Sequence, residues 1–278
     1  MIKPNKIEVL SLFEILDSRL LELLKSLTPD EWKAPTVAKL WTVKDIAAHL
    51  LDGSLRGLSI SRDGYFGEPA ENINSYQELV AYLNKLNSNW VTATRRLSPQ
   101  VLIELLEIAS RQYTRHLQQL NPEANAVFAV AWAGQEVSAN WFHIAREYTE
   151  KFLHQQQIRD AVNKPGIMTR ELYYPFLNMF MQALPYTFKD VMAAAGTTVL
   201  LTVTTAVGGQ WSITKTNEGW ILNNNTLATA DATVSIDPDT AWKLFSKSLT
   251  PEQVLHRIEI TGNQLLGKHV LKLVAVMA

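Results

Sequence analysis

Apolar residues recur at three- and four-residue steps from Ile7 through Leu10, Phe13, Leu16, Leu20 and Leu23 to Leu27, and this periodicity constrains the fold more than any other feature. It lines one face of a helix, because three to four residues complete one α-helical turn. Further helix starts follow at regular intervals. Thr42 precedes Asp45 by three residues, so its hydroxyl can accept from the free N–H at the third helical position while the carboxylate reaches back, and a helix is expected from Thr42 to about Ile60. The stretch "SRDGYFGEP" (61–69) then reads as a loop. Ser75 with Glu78 repeats the pattern and opens a helix through Leu97; Ser98-Pro99 opens another through Leu120, with proline in its tolerated first turn. The run "VFAVAWAGQEV" (127–137) reads as a small hairpin or extended loop, before a helix from about Ala139 to Val162. Long helices joined by short connections are the pattern of a helical bundle.

The composition changes after "NKPG" (163–166). Residues 170–194 still read as helical, with Pro175 and Pro185 bending or interrupting them. "TTVLLTVTTAVGGQWSITKTNEGWIL" (197–222) is rich in β-branched residues and broken by Gly-Gly and Asn-Glu-Gly, which predicts strands and hairpins. "ADATVSID" (230–237) and "HRIEITG" (256–262) predict further strands; "PDTAWKLFSKSL" (238–249) and "NQLLGKHVLKLVAVMA" (263–278) predict helices. Two domains are expected, a helical one over 1–165 and a smaller mixed α and β one over 166–278.

Charge narrows the partners. With 26 Lys plus Arg against 27 Asp plus Glu, the formal net charge is -1, so no global field draws the chain to nucleic acid or to an anionic membrane. No apolar run approaches the roughly 20 residues that span a bilayer, and the acid-bearing N-terminus is unlike a signal peptide, which leads to a cytoplasmic expectation. Cysteine is absent, so the protein has no thiol nucleophile or thiolate metal ligand of its own.

Chemistry concentrates in "NWFHIAREYTEKFLHQQQIRDAV" (140–162). At about 100° per residue, His143, Glu147, Glu150 and His154 fall within roughly 60° of one another on the helix surface. Glu150 and His154 are one turn apart, a separation at which two side chains can converge on one cation. A third ligand must come from elsewhere: His49 leads, and His116 and His143 compete. The same spacing also occurs on solvated faces, where Arg146 would simply pair with Glu150 and His49 would be a hydrogen-bonded core residue.

"WTVKDIAAHL" (41–50), followed much later by Arg146-x-x-x-Glu150-x-x-x-His154 and Arg159-Asp160, resembles the mycothiol-dependent maleylpyruvate isomerase family, part of a wider DinB-like superfamily of metal-binding four-helix bundles. The stretch "ADATVSIDPDTAWKLFSKSLTPEQVLHRIEITGN" (230–263) is similar to that family's C-terminal domain, a sterol-carrier-like α+β module. The resemblance implies metal ligands at His49, Glu150 and His154, with Arg146 and Asp45 as candidates for orienting them through hydrogen bonds.

Two imidazoles and one carboxylate suit zinc, with nickel or iron as alternatives, and leave a coordination position open. The resemblance implies a low-molecular-weight thiol as cofactor, whose thiolate adds to the cis double bond of a small dianionic substrate, allows rotation and is expelled. Arg56, on nearly the same helix face as His49, and Arg257 are candidate cations for the substrate carboxylates. Trp41 and Trp141 read as core. Two alternatives stand beside the isomerase: a thiol S-transferase acting on small electrophiles, and a non-enzymatic protein holding an apolar ligand in its second domain.

Overall fold

Local capping chemistry sets where the helices begin. The computed structural model describes residues 6–67, 73, 75–223 and 229–276. Helix α1 spans Leu10–Lys25, α2 Val43–Gly57, α3 Tyr76–Thr94, α4 Pro99–Gln119 and α5 Asn140–Ala161. Thr42 caps α2 through a reciprocal box, its hydroxyl accepting from Asp45 N–H while the Asp45 carboxylate accepts from Thr42 N–H at 2.9 Å. Ser75 and Ser98 cap α3 and α4 by accepting from Glu78 N–H and Val101 N–H. Helix α2 runs on into a π-helical turn, Leu58–Arg62, just after Gly57, where the Tyr113 ring lies so close that a Cβ would be 2.4 Å from it. Positions 68 and 69 of the expected loop after α2 lie outside the described residues.

Contacts divide the chain into two units. Val9–Val127 and Glu150–Ile167 form the first; Phe128–Thr149 and the chain from Met168 onward, with a short N-terminal stretch ending at Glu8, form the second. Helix α5 contributes to both, up to Thr149 in the second and from Glu150 in the first. In the first unit, Leu20, Leu23 and Leu24 of α1, Ile46, Ala47 and Leu50 of α2, Leu102 and Leu106 of α4 and Ile158 of α5 form one buried cluster. Each is the inward stripe of an amphipathic helix, so removing that surface from water holds the helices together.

In the second unit α6 (Arg170–Phe180) carries Pro175 within it, a 3-10 turn follows at Met181–Ala183, and Pro185 opens α7 (Leu184–Thr187). Strands β1 (Thr198–Val203), β2 (Gly209–Lys215), β3 (Trp220–Leu222), β4 (Ala232–Ile236) and β5 (Glu259–Gly262) form one sheet in the order β3-β2-β1-β4-β5. The β1 and β4 pair is parallel and the other pairs antiparallel. Val199, Leu201 and Val203 alternate with less buried neighbours and stand in register with Ile213, Trp211 and Ile236 respectively, all buried, so one face of the sheet is apolar. Helices α8 (Pro238–Phe245), α9 (Pro251–Val254) and α10 (Gln264–Val270) complete the unit. A helical N-terminal region followed by a five-stranded sheet with helices makes the fold class mixed α and β.

One local expectation is narrowed and one corrected. Among the described residues the 127–137 run forms no hairpin; it is a loop that contains a 3-10 turn, Ala131–Ala133, ended by Gly134 at φ 74. Val130 and Trp132 are buried, and Val130 N–H donates to Ser138 Oγ. The last helix stops at Val270 because the chain turns there and Ala275 N–H donates to the Phe245 carbonyl. Leu271, Leu273 and Ala275 are buried without helix, and positions 277 and 278 lie outside the described residues. Among the described residues no helix is long and apolar enough to cross a membrane.

Candidate metal centre

Helix α2 starts at its Thr42 cap and presents His49 two turns later; α5 presents Glu150 and His154 one turn apart. All three belong to the first unit. One donor atom from each residue lies within 4.8 Å of the other two. His154 Nε2 is 3.4 Å from Glu150 Oε2, and the His49 and His154 rings meet edge to face with centroids 4.6 Å apart. Donors around one tetrahedral zinc at about 2.1 Å are roughly 3.4 Å from each other, so side-chain rotation of about an ångström closes the set on an ion.

The electrostatics suit a cation. Burial pushes the His49 imidazole down to about 3; His154 and Arg56 push the same way and Glu150 opposes. His49 is therefore neutral at ordinary pH, the form that ligates. Its Nδ1 is buried with no hydrogen-bond partner, a deficit of about 1–3 kcal/mol for a group of this kind. His154 Nδ1–H donates to the Gln157 side-chain oxygen at 2.9 Å, which fixes the ring orientation with Nε2 facing Glu150. The donor set, the neutral His49 imidazole and its unsatisfied nitrogen all fit a divalent ion.

A family profile described as the mycothiol maleylpyruvate isomerase N-terminal domain matches residues 13–159, a span that holds all three donors. The chain belongs to this family. Two solved structures share its fold, a crystal structure of the mycothiol-dependent maleylpyruvate isomerase and one of its histidine-to-alanine mutant. Each has a TM-score of 0.53 and 11% identity over 86% of this chain and 88% of that one, a likeness of fold. No curated protein sequence matches the chain.

Within this family member the other candidate residues have different surroundings. Arg56 Nε is 2.9 Å from Asp52 Oδ2, and its Nη2 donates to Asn87 Oδ1 at 3.3 Å. The pair borders a cleft of about 330 Å3 with Leu86, Asn89, Trp90 and Ala93. Burial raises the Asp52 carboxyl, and Arg56 opposes that shift. Arg257 is exposed at the end of a 3-10 turn, Leu255–Arg257, in the second unit. Asp45 Oδ2 accepts from both Thr42 N–H and Thr42 Oγ1, so its carboxylate serves the α2 cap. Arg146 is ion-paired to Glu147 and lies 3.3 Å from His143 Nδ1. His116 Nε2 is bonded to Ser61 Oγ at 2.8 Å.

Two residues of the centre were missed in the sequence. Gln157 sits one turn after His154, a spacing that could have flagged it. Trp41, read as core, is only half-buried, and its ring centroid is 4.8 Å from that of His49 and 6.2 Å from that of His154. Its position next to the Thr42 cap was visible, but nothing local to the sequence says which way an indole there turns.

Proposed function

We propose that this chain is a metal-dependent enzyme that borrows a small thiol to convert a small cis-unsaturated acid, maleylpyruvate in the first instance, into its trans isomer. The observation that carries the proposal is the meeting of His49, Glu150 and His154 inside the segment that defines the family. These three residues would hold the ion, zinc before nickel or iron. When bound, the ion would supply an open position at which a thiol loses its proton near neutral pH. The chain's own groups do the rest. Burial keeps His49 neutral, Gln157 holds the Nδ1 proton of His154, and Glu150 contributes the negative charge that favours a cation. The thiolate sulfur adds to one carbon of the double bond, the electron pair moves onto the neighbouring carbonyl as an enolate, the remaining single bond rotates, and elimination returns the thiolate. Arg56 is proposed to hold a substrate carboxylate, and the thiol and the small acid are the only partners the proposal needs.

The test loads the protein with zinc and supplies maleylpyruvate with mycothiol, bacillithiol or glutathione in parallel, following loss of the cis isomer and any thiol adduct. Trans product with one thiol supports the isomerase; accumulating adduct converts the reading to an S-transferase. A second reading, a ligand-binding protein with a sterol-carrier-like second domain, draws on an open groove of about 590 Å3 in the second unit. Val191, Met192, Leu265 and Leu266 line it beside Lys268 and Lys272, a mixture suited to an apolar body with an anionic end. Zinc-loaded protein that is inert with every thiol, yet co-purifies with such a ligand, would favour that reading. The division into domains 1–165 and 166–278 belongs to the same proposal and is tested by limited proteolysis.

A further inference from the structure

A metal-binding imidazole is ordinarily held in place by a hydrogen bond at its second nitrogen. His154 has one, to Gln157. His49 does not: among the described residues neither of its ring nitrogens has a hydrogen-bond partner. The aromatic neighbours of its ring are His154 and Trp41, and the Trp41 indole is tilted 46° to His49 and 39° to His154. The indole rides on a fixed turn. Trp41 N–H donates to the Ala38 carbonyl, and its own carbonyl accepts from Thr36 N–H and from Thr36 Oγ1 at 2.8 Å. Next to it, Thr42 is bridged antiparallel to Pro35 and caps α2. Lys39, inside this turn, is held at φ 31, a conformation that persists only where the surrounding bonds enforce it.

We infer that Trp41 is a positioning residue of the metal centre: its indole orients the His49 imidazole by aromatic packing, in place of the missing hydrogen bond. This rests on the metal site proposed above. The same turn that starts α2 thereby aligns the ligand two turns further along the helix. Because the indole approaches both imidazoles, it also lies within quenching range of a paramagnetic ion held between them.

The experiment uses the full chain stripped of metal and titrated with Co2+ alone, with bound cobalt measured by equilibrium dialysis and tryptophan emission read in parallel. Trp41→Phe keeps a ring at the contact and should bind cobalt within about threefold of the unaltered protein while losing most of the quench. Trp41→Leu fills the space without a ring and should bind about tenfold more weakly, as should Trp41→Ala if it folds. Trp90→Phe, which removes the indole that donates to the Ala48 carbonyl, should keep the quench. A Trp41→Leu protein that is less stable in urea yet binds cobalt as tightly as the unaltered protein would overturn the positioning role. So would a full quench in Trp41→Phe. Failure of the unaltered protein to bind cobalt in dialysis would instead remove the metal site itself, and that result is read before any variant is made.

Discussion

Glu150 and His154 face each other across one turn of α5, with Oε2 and Nε2 3.4 Å apart, and His49 of α2 closes the triangle from a different helix. The relationship joins a local fact, helical periodicity, to a tertiary one, the packing of α2 against α5.

His154→Ala should remove stoichiometric divalent metal from freshly purified protein while far-ultraviolet circular dichroism stays unchanged. Elemental analysis decides the matter. Full metal retention in this variant would move the site away from α5.

Gln157→Leu should weaken metal binding by about tenfold to hundredfold without abolishing it, since the lost bond fixes the His154 ring orientation rather than supplying a ligand. Competition against a chelator of known affinity measures the effect. Equal affinity in both proteins would show that His154 is oriented by its packing alone.

His49 carries a pH dependence whose sign follows from burial. Its folded pKa is pushed down to about 3 from an ordinary 6.5. Between those values the unfolded chain takes up a proton that the folded chain does not. Stability of metal-free protein should therefore fall as pH drops through 6.5 towards 3, by at most ~1.4 kcal/mol per pH unit. Urea unfolding at a series of pH values should show this decline flattened in His49→Leu; an unaltered slope would assign it to other groups.

The end of α5 is tied down by a buried arginine. The Arg159 guanidinium donates to the carbonyls of Lys164, Pro165 and Arg19 at 3.0–3.1 Å, and a Cβ on Gly166 would lie 2.6 Å from its Nη1. Arg159→Met should cost ~2–3 kcal/mol by leaving these acceptors without their charged donor. Gly166→Ala should be destabilising in the same direction by displacing the guanidinium. Chemical denaturation of both variants checks this, and two neutral results would mean that the turn at 163–166 holds without Arg159.

Much of the fold was legible because its signals are local. A hydroxyl three residues before an acid caps its helix with atoms that are neighbours in the chain, so the starts of α2 and α3 could be read at Thr42 and Ser75. The alternation from Val199 to Val203 marks a strand with one buried face for the same reason. The last helix was overread because the apolar residues after Val270 satisfy a helical pattern as well as a buried extended one, and only the Phe245 carbonyl chooses between them.

At the candidate site, the sequence by itself determined that Glu150 and His154 share a helix face, since 3.6 residues per turn settles it without knowledge of anything else. It left the third donor open among His49, His116 and His143 until family resemblance was added. Tertiary structure decided which histidine comes near: His116 turns to Ser61, His143 lies beside Arg146 and Glu147, and His49 meets His154 ring to ring. It also decided that Trp41, packed at the edge of the core cluster, lies against the histidines, and that Arg56 pairs with Asp52. The physical reason is that helical spacing is a property of one segment, whereas the direction of a ring or guanidinium depends on which distant surfaces must be buried together.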